Sequence, residues 1–342
     1  MEKRLHITNG DNATELMALA KISGEYLPWR DCLHQGPIPA HLPLPELSQI
    51  RADYLQSIFL PPGMDIQHDM QQRDQMLTNL EPYQQLILWF EHDLYDQLQL
   101  LQILDTLPEP DSTTCQLKLI CINHFPGVEP FHGLGQLNPQ QLASLEKHAT
   151  PITREQLAIA KAGWKAVRCP NPLALLEYLQ QDLTPLPYMR AAIIRLMQEY
   201  PSIENGLNRT EQQTLQQLKR GPLDPITLFC GNQEMEEARY LGDACLWDII
   251  KSFTTGTLPL LKTVTGKPFS HLPFKLPKGE FRKQSLQLTE LGHKILEGER
   301  DRVQDGHLDY WIGGVHLGEG DDWRWCAEDA TLINHKPSQK KE

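Results

Sequence analysis

Long hydrophobic runs are missing from this chain. Nothing in its 342 residues approaches the roughly 18 consecutive apolar positions of a membrane helix, so no membrane partner is expected. The opening MEKRLHITNGD enters a strand pattern directly, without the apolar core of a signal peptide, and the expected location is cytoplasmic. Cysteines number seven and no two are spaced as CxxC. That spacing excludes a zinc ribbon and suits reduced, mostly buried thiols. A Gly-x-Gly-x-x-Gly turn is absent, as is a P-loop with its Gly-Lys-Ser/Thr, which weakens dinucleotide and Walker readings. No Gly-x-Ser-x-Gly elbow occurs, so a nucleophilic triad is not expected. Positive charge is scarce in the first half. Residues 1–184 hold 12 Lys and Arg against 22 Asp and Glu, a balance that repels bare phosphates.

The chain otherwise has the composition of an ordinary soluble globular protein, 40% apolar and 22% charged, at a length suited to two domains. Net charge is −12, but residues 185–342 are near neutral, with 20 basic against 22 acidic side chains. Inside that half, Lys262 to Lys294 holds seven Lys or Arg against two Glu.

The most informative stretch is QLILWFEHDLYDQLQLLQIL, Gln85 to Leu104. Leu86 to Phe90 is an apolar run fit for a strand buried on both faces. Glu91-His92-Asp93 comes next without a spacer. Leu94, Leu98, Leu101 and Leu104 then recur at helical spacing. This is strand, charged crest, helix. Elsewhere in the first half the same alternation recurs: strands at Leu5–Thr8, Glu25–Trp29 and Leu117–Ile122, and helices after Asn12, near Leu47–Ile58 and over Asp65–Leu80. Asn12 with Glu15 has the form of a capping box. The alternation predicts a parallel, Rossmann-like α/β sheet over residues 1–184. Its strand ends release Asn9/Asp11, Arg30/Asp31, Glu91/His92/Asp93 and Asn123/His124 along one edge, where ligands bind in such sheets.

After Thr184-Pro185-Leu186-Pro187 helices dominate, including one over Gln233–Leu241. Later come a strand at Leu258–Lys262, an extended Ser285–Leu288 and a helix from Thr289. This order predicts a winged-helix-like domain over 185–335, closed by one hairpin that pairs Trp311–Leu317 with Trp323–Trp325, and a frayed tail at 336–342.

Glu91, His92 and Asp93 are the leading catalytic candidates, with Asp11 and Asp31. As a set, Glu91, His92 and Asp93 offer oxygen and nitrogen ligands for a divalent metal, or a general acid–base pair. On the helix, Asp93, Asp96 and Gln97 share a face. The plain alternative is that Asp93 caps the helix and Asp96 meets its positive end. It leaves Glu91 and His92 unexplained. His6, Asn9, Gly10, Trp29, Arg30, Asp96, Gln97 and His124 complete the candidate ligand-binding set. Gly10 permits close backbone approach at a helix start, and Arg30 can clamp a phosphate or hold the acidic crest together. Lys262, Lys267, Lys278, Arg282 and Lys283 are candidates for nucleic-acid phosphates, against the alternative of a solvated loop.

HITNGD, LPWRDCLHQGP and WFEHDLYDQLQLLQIL together resemble a bacterial family catalogued as domain of unknown function 1835. The segments LTELGHKIL and DYWIGGVHL…WRW resemble the region C-terminal to that domain in longer members. The resemblance implies one shared site for the N-terminal motif residues, and no assigned activity. The expected function is a small-ligand binder or metal-assisted hydrolase or transferase. Its substrate would be a phosphorylated or nucleotide-like molecule bound at the crest. The alternative is a ligand-sensing regulator or protein-interaction module working through the winged-helix-like half.

Overall fold

A computed structural model describes residues 3–58, 63, 65–305, 308–318 and 322–335. The chain divides into two compact units, residues 1–54, 65–193 and 313–315 in the first, and the remainder in the second. The division falls inside a helix, Met189–Met197, and not at the prolines before it. Pro185, Leu186 and Pro187 instead line a cavity of the first unit.

The first unit runs β1 (Arg4–Thr8), α1 (Asp11–Leu19), β2 (Glu25–Pro28), α2 (Leu44–Ile58) as far as Tyr54, α3 (Ile66–Thr78), β3 (Gln85–Glu91), α4 (Leu94–Thr106), β4 (Gln116–Ile122), α5 (Pro139–Ser144), β5 (Thr150–Pro151), α6 (Arg154–Val167) and α7 (Leu173–Tyr178). The sheet order is β2-β1-β3-β4-β5. The first four strands are parallel, as the alternation predicts, and β5 is an antiparallel edge. Two residues long, β5 carries no periodicity to read.

Strand β3 is central and buried from Leu86 to Glu91. Ile87 and Trp89 pack with Met17 of α1 and Leu142 of α5. Leu86, Leu88 and Phe90 alternate to the opposite face. There α4 is buried almost throughout, which is why its polar Gln99 and Gln102 find partners. Gln99 donates to the carbonyls of Trp29 and Asp31, and Gln102 accepts from Trp29 Nε1. Helix α1 departs from expectation at its start. It begins at Asp11 behind Gly10 with no side-chain cap, so the Asn12–Glu15 capping box does not form.

The second unit contains α8 (Met189–Met197) in part, α9 (Arg209–Gln217), α10 (Pro225–Glu234), α11 (Asp243–Thr254), β6 (Leu261–Thr263), β7 (Leu286–Leu288), α12 (Glu290–Leu296) and α13 (Arg302–Asp305). Asn208 and Glu211 form a capping box on α9, and Asp224 caps α10. Strands β6 and β7 are antiparallel, and Leu223 adds an isolated bridge to Leu286 on the other side of β7. The expected helix over Gln233–Leu241 does not form, because α10 ends at Glu234. Glu236 turns inward to Arg195, Oε1 lying 2.8 Å from Nη2, and Arg239 Nε donates to the carbonyl of Gln233. The end of the chain holds two small sheets where one hairpin was expected. β8 (Tyr310–Ile312) pairs with β9 (Val315–Leu317), and β10 (Trp323–Cys326) with β11 (Thr331–Asn334). Residues 319–321, between the two expected strands of that hairpin, and the 336–342 tail lie outside the described residues. Among the described residues no helix is long and apolar enough to cross a membrane.

Candidate functional site: a carboxylate cluster at the sheet edge

From β1 the chain passes to β2 on one side, and β3 lies on the other. The gap between the carboxyl ends of β1 and β3 is therefore the point where the strand order reverses, the place an open α/β sheet offers a ligand. Asn9 comes just after β1 and Glu91 ends β3, and their side chains meet there. Asn9 Nδ2 donates to Asp96 Oδ2 at 2.8 Å and reaches Glu91 Oε1 at 3.4 Å.

Three carboxylates converge. Glu91, Asp93 and Asp96 each place an oxygen so that all lie within 4.8 Å of one another. They are 5%, 4% and 1% exposed. Backbone N–H groups fix them. Asp93 caps α4 by accepting from Asp96 N at 3.1 Å, Asp96 Oδ1 accepts from Glu91 N at 2.6 Å, and Glu91 Oε1 accepts from Leu134 N at 2.6 Å. Gln97 donates to the Glu91 carbonyl at 2.6 Å, and Tyr95 Oη to the Asn9 carbonyl at 3.3 Å. Among the described residues no Lys, Arg or His forms an ion pair with any of the three. Burial therefore dominates their titration. It pushes Glu91 up to about 8, helped by the charge of Asp93, and Asp93 up to about 7 against its capping hydrogen bonds. Asp96 goes well above the usual carboxylate range for the same reason. Like charges this close share protons or a cation. The donors are hard oxygens, which suit Mg²⁺, Mn²⁺ or Ca²⁺.

The other sequence candidates take varied places. His92 lies outside the cluster, its ring edge-on to Tyr188 at 6.0 Å, and the third convergent carboxylate is Asp96. Burial and the charge of His132 hold the His92 ring below its usual pKa. Asp31 lies apart from the crest and fully buried against Arg51, 2.8 Å from its Nη2. Arg73 stacks its guanidinium 4.0 Å from the Trp29 ring beside it. Asp31 and Trp29 thus fasten α2 and α3 to the sheet. Arg30 is engaged at the surface by Asp11, 2.6 Å away, and lies 3.6 Å from Asp69. Gly10 directly precedes α1, and its carbonyl accepts from Thr8 Oγ1 at 2.9 Å. His6 sits inside the sheet, accepting from Trp89 Nε1 at 3.1 Å. His124 is exposed, with Nδ1 2.9 Å from Asn123 Oδ1.

Residue types alone do not reveal the backbone donor Leu134, although Gly133 before it stands out in the Gly-rich loop after β4, where a loop could close over a ligand. A Cβ on Gly133, at φ +152°, would stand 2.4 Å from Glu91 Oε2. Beyond Gln97 and Cys121 opens a cavity of about 610 Å³. Its walls are mostly apolar, including Leu119, Phe125 and Tyr188. Lys147, His124 and His148 are on its lining, and no carboxylate is.

Comparison with protein-family models finds no match to this chain, and comparison with curated proteins finds no relative.

Proposed function

We propose that the first unit holds a divalent cation on Glu91, Asp93 and Asp96 and uses it to bind and act on a small phosphorylated or nucleotide-like molecule, as a hydrolase or transferase. One observation carries the reading. Three buried carboxylates share a site at the reversal point of a parallel sheet, and among the described residues no basic side chain pairs with them. Uncompensated buried charge is costly, and a cation removes that cost. A bound cation would polarise a phosphoryl oxygen and orient its substrate. The neighbouring cavity supports the substrate class. At about 610 Å³ it matches small-molecule sites. Lys147 and the two histidines on its lining suit an anion, and its apolar walls suit an organic body. Membership of domain of unknown function 1835 is part of the proposal, on the three N-terminal motifs. So is a cytoplasmic location, which the seven free cysteines suit.

The test is a titration of the full chain with Mn²⁺, then phosphate release from a panel of nucleotides and phosphate esters. One Mn²⁺ per chain is expected. Glu91→Gln and Asp96→Asn should each weaken it by at least about tenfold and remove turnover. Binding and turnover that survive both substitutions would reject the reading.

A further inference from the structure

The segment between β6 and β7, residues 264–285, is a basic lobe on an acidic protein. From Lys262 to Lys283 it carries six Lys or Arg and one Glu, while the whole chain carries −12. All six cations are exposed. Lys283 pairs with Glu280. Among the described residues Lys262, Lys267, Lys275 and Lys278 form no ion pair. The lobe is nonetheless built. Phe281 is buried and packs edge-on to Trp247 of α11 at 4.9 Å. Gln284 clasps Ser270 through both of that residue's backbone groups, at 2.7 and 3.1 Å. Phe274, 44% exposed, stands at its surface among the lysines.

The order around the lobe is helix α9, the Leu223 bridge, helices α10 and α11, then β6 and β7. Leu223 pairs with β7 and β7 with β6. This is the order of a winged helix, and the lobe occupies the place of the wing. In helix-turn-helix folds the last helix before the wing enters the major groove. Here that helix, α11, exposes Asp243, and its Lys251 is spent on Asp248 at 3.3 Å. A net acidic helix is repelled by phosphates, so of the two the lobe has the charge to touch them.

We propose that this lobe docks on the phosphate backbone of duplex nucleic acid, through Lys262, Lys267, Lys275 and Lys278 and without reading base sequence. The topology favours a duplex over an acidic peptide or a lipid surface, which the same charge would also attract.

The test is fluorescence anisotropy of a labelled DNA duplex with the full chain at a series of salt concentrations. Four phosphate contacts predict a slope of log K against log salt of about −3 to −4, the same for unrelated sequences. Replacing the four lysines with Gln should weaken binding at least tenfold at low salt and flatten that slope. No binding at low salt would overturn the proposal. So would unchanged binding in the fourfold variant, or tighter binding to polyglutamate or to phosphatidylserine vesicles than to DNA. Lysine acetylation of the unaltered protein, read by mass spectrometry, covers a variant that fails to fold. Protection of the four lysines by DNA, with Lys21 unprotected, supports docking, and equal labelling overturns it.

Discussion

Gly133 is where a single atom decides the geometry of the cluster. Its positive φ and the 2.4 Å approach to Glu91 leave no room for a methyl group. Gly133→Ala is expected to cost about 1–3 kcal/mol in urea unfolding, through strain and displaced contacts. It should also weaken Mn²⁺ binding, because Leu134 N can no longer hold Glu91. His6 sets a different, pH-dependent condition. Its Nδ1 accepts from Trp89, and Nε2 faces the Ser23 carbonyl at 3.2 Å, an arrangement that needs a neutral ring. Burial, with a smaller push from Arg4, holds its pKa below 6.5. The unfolded chain therefore takes up a proton that the folded chain refuses. The stability from His6 is fully present above pH 6.5 and is lost as pH falls through the depressed folded value. Urea midpoints measured on both proteins from about pH 8 to pH 5 should diverge, with wild type falling more steeply than His6→Gln in the acid range. Parallel curves would show that His6 carries no such linkage.

At the scale of elements, the strand–crest–helix stretch was legible because three local signals agree. These are a continuous apolar run, an Asp at the cap position, and leucines at helical spacing. Glu91, Asp93 and Asp96 lie within that stretch, so their convergence needed only its fold. Asp31 comes at the end of β2 in the same manner and ended up elsewhere in function. Its partner Arg51 lies on α2 and is fully buried with it, a pairing no local pattern announces. The N–H of Leu134 was equally hidden, since a backbone donor has no letter of its own. The run of helices in the second unit was visible, but the Leu223 bridge to Leu286 is a single residue and has no periodicity. Arg51→Met strands Asp31 as a buried, poorly compensated charge. The expected loss is about 3–5 kcal/mol in chemical unfolding, with Mn²⁺ affinity unchanged once the protein is folded. A loss of Mn²⁺ binding in the folded variant would mean that the Asp31 pair supports the cluster after all.

Across the whole molecule, a charge of −12 gathers divalent cations loosely at many points. A specific site must therefore stand out from a background that salt removes. In physiological salt, screening acts over roughly 8 Å, and calorimetric titration should reduce to one strong Mn²⁺ per chain. A smooth weak isotherm that vanishes with salt would leave only the diffuse background. The burial of the three carboxylates also has a consequence in time. Asn9 and Leu134 close on Glu91, and Asp93 is tied into the first turn of α4. Release of a cation seated there is expected to require the Leu134 N–H, beside Gly133, to part from Glu91. Stripping by a chelator should then proceed at a rate set by that opening, the same however much chelator is supplied.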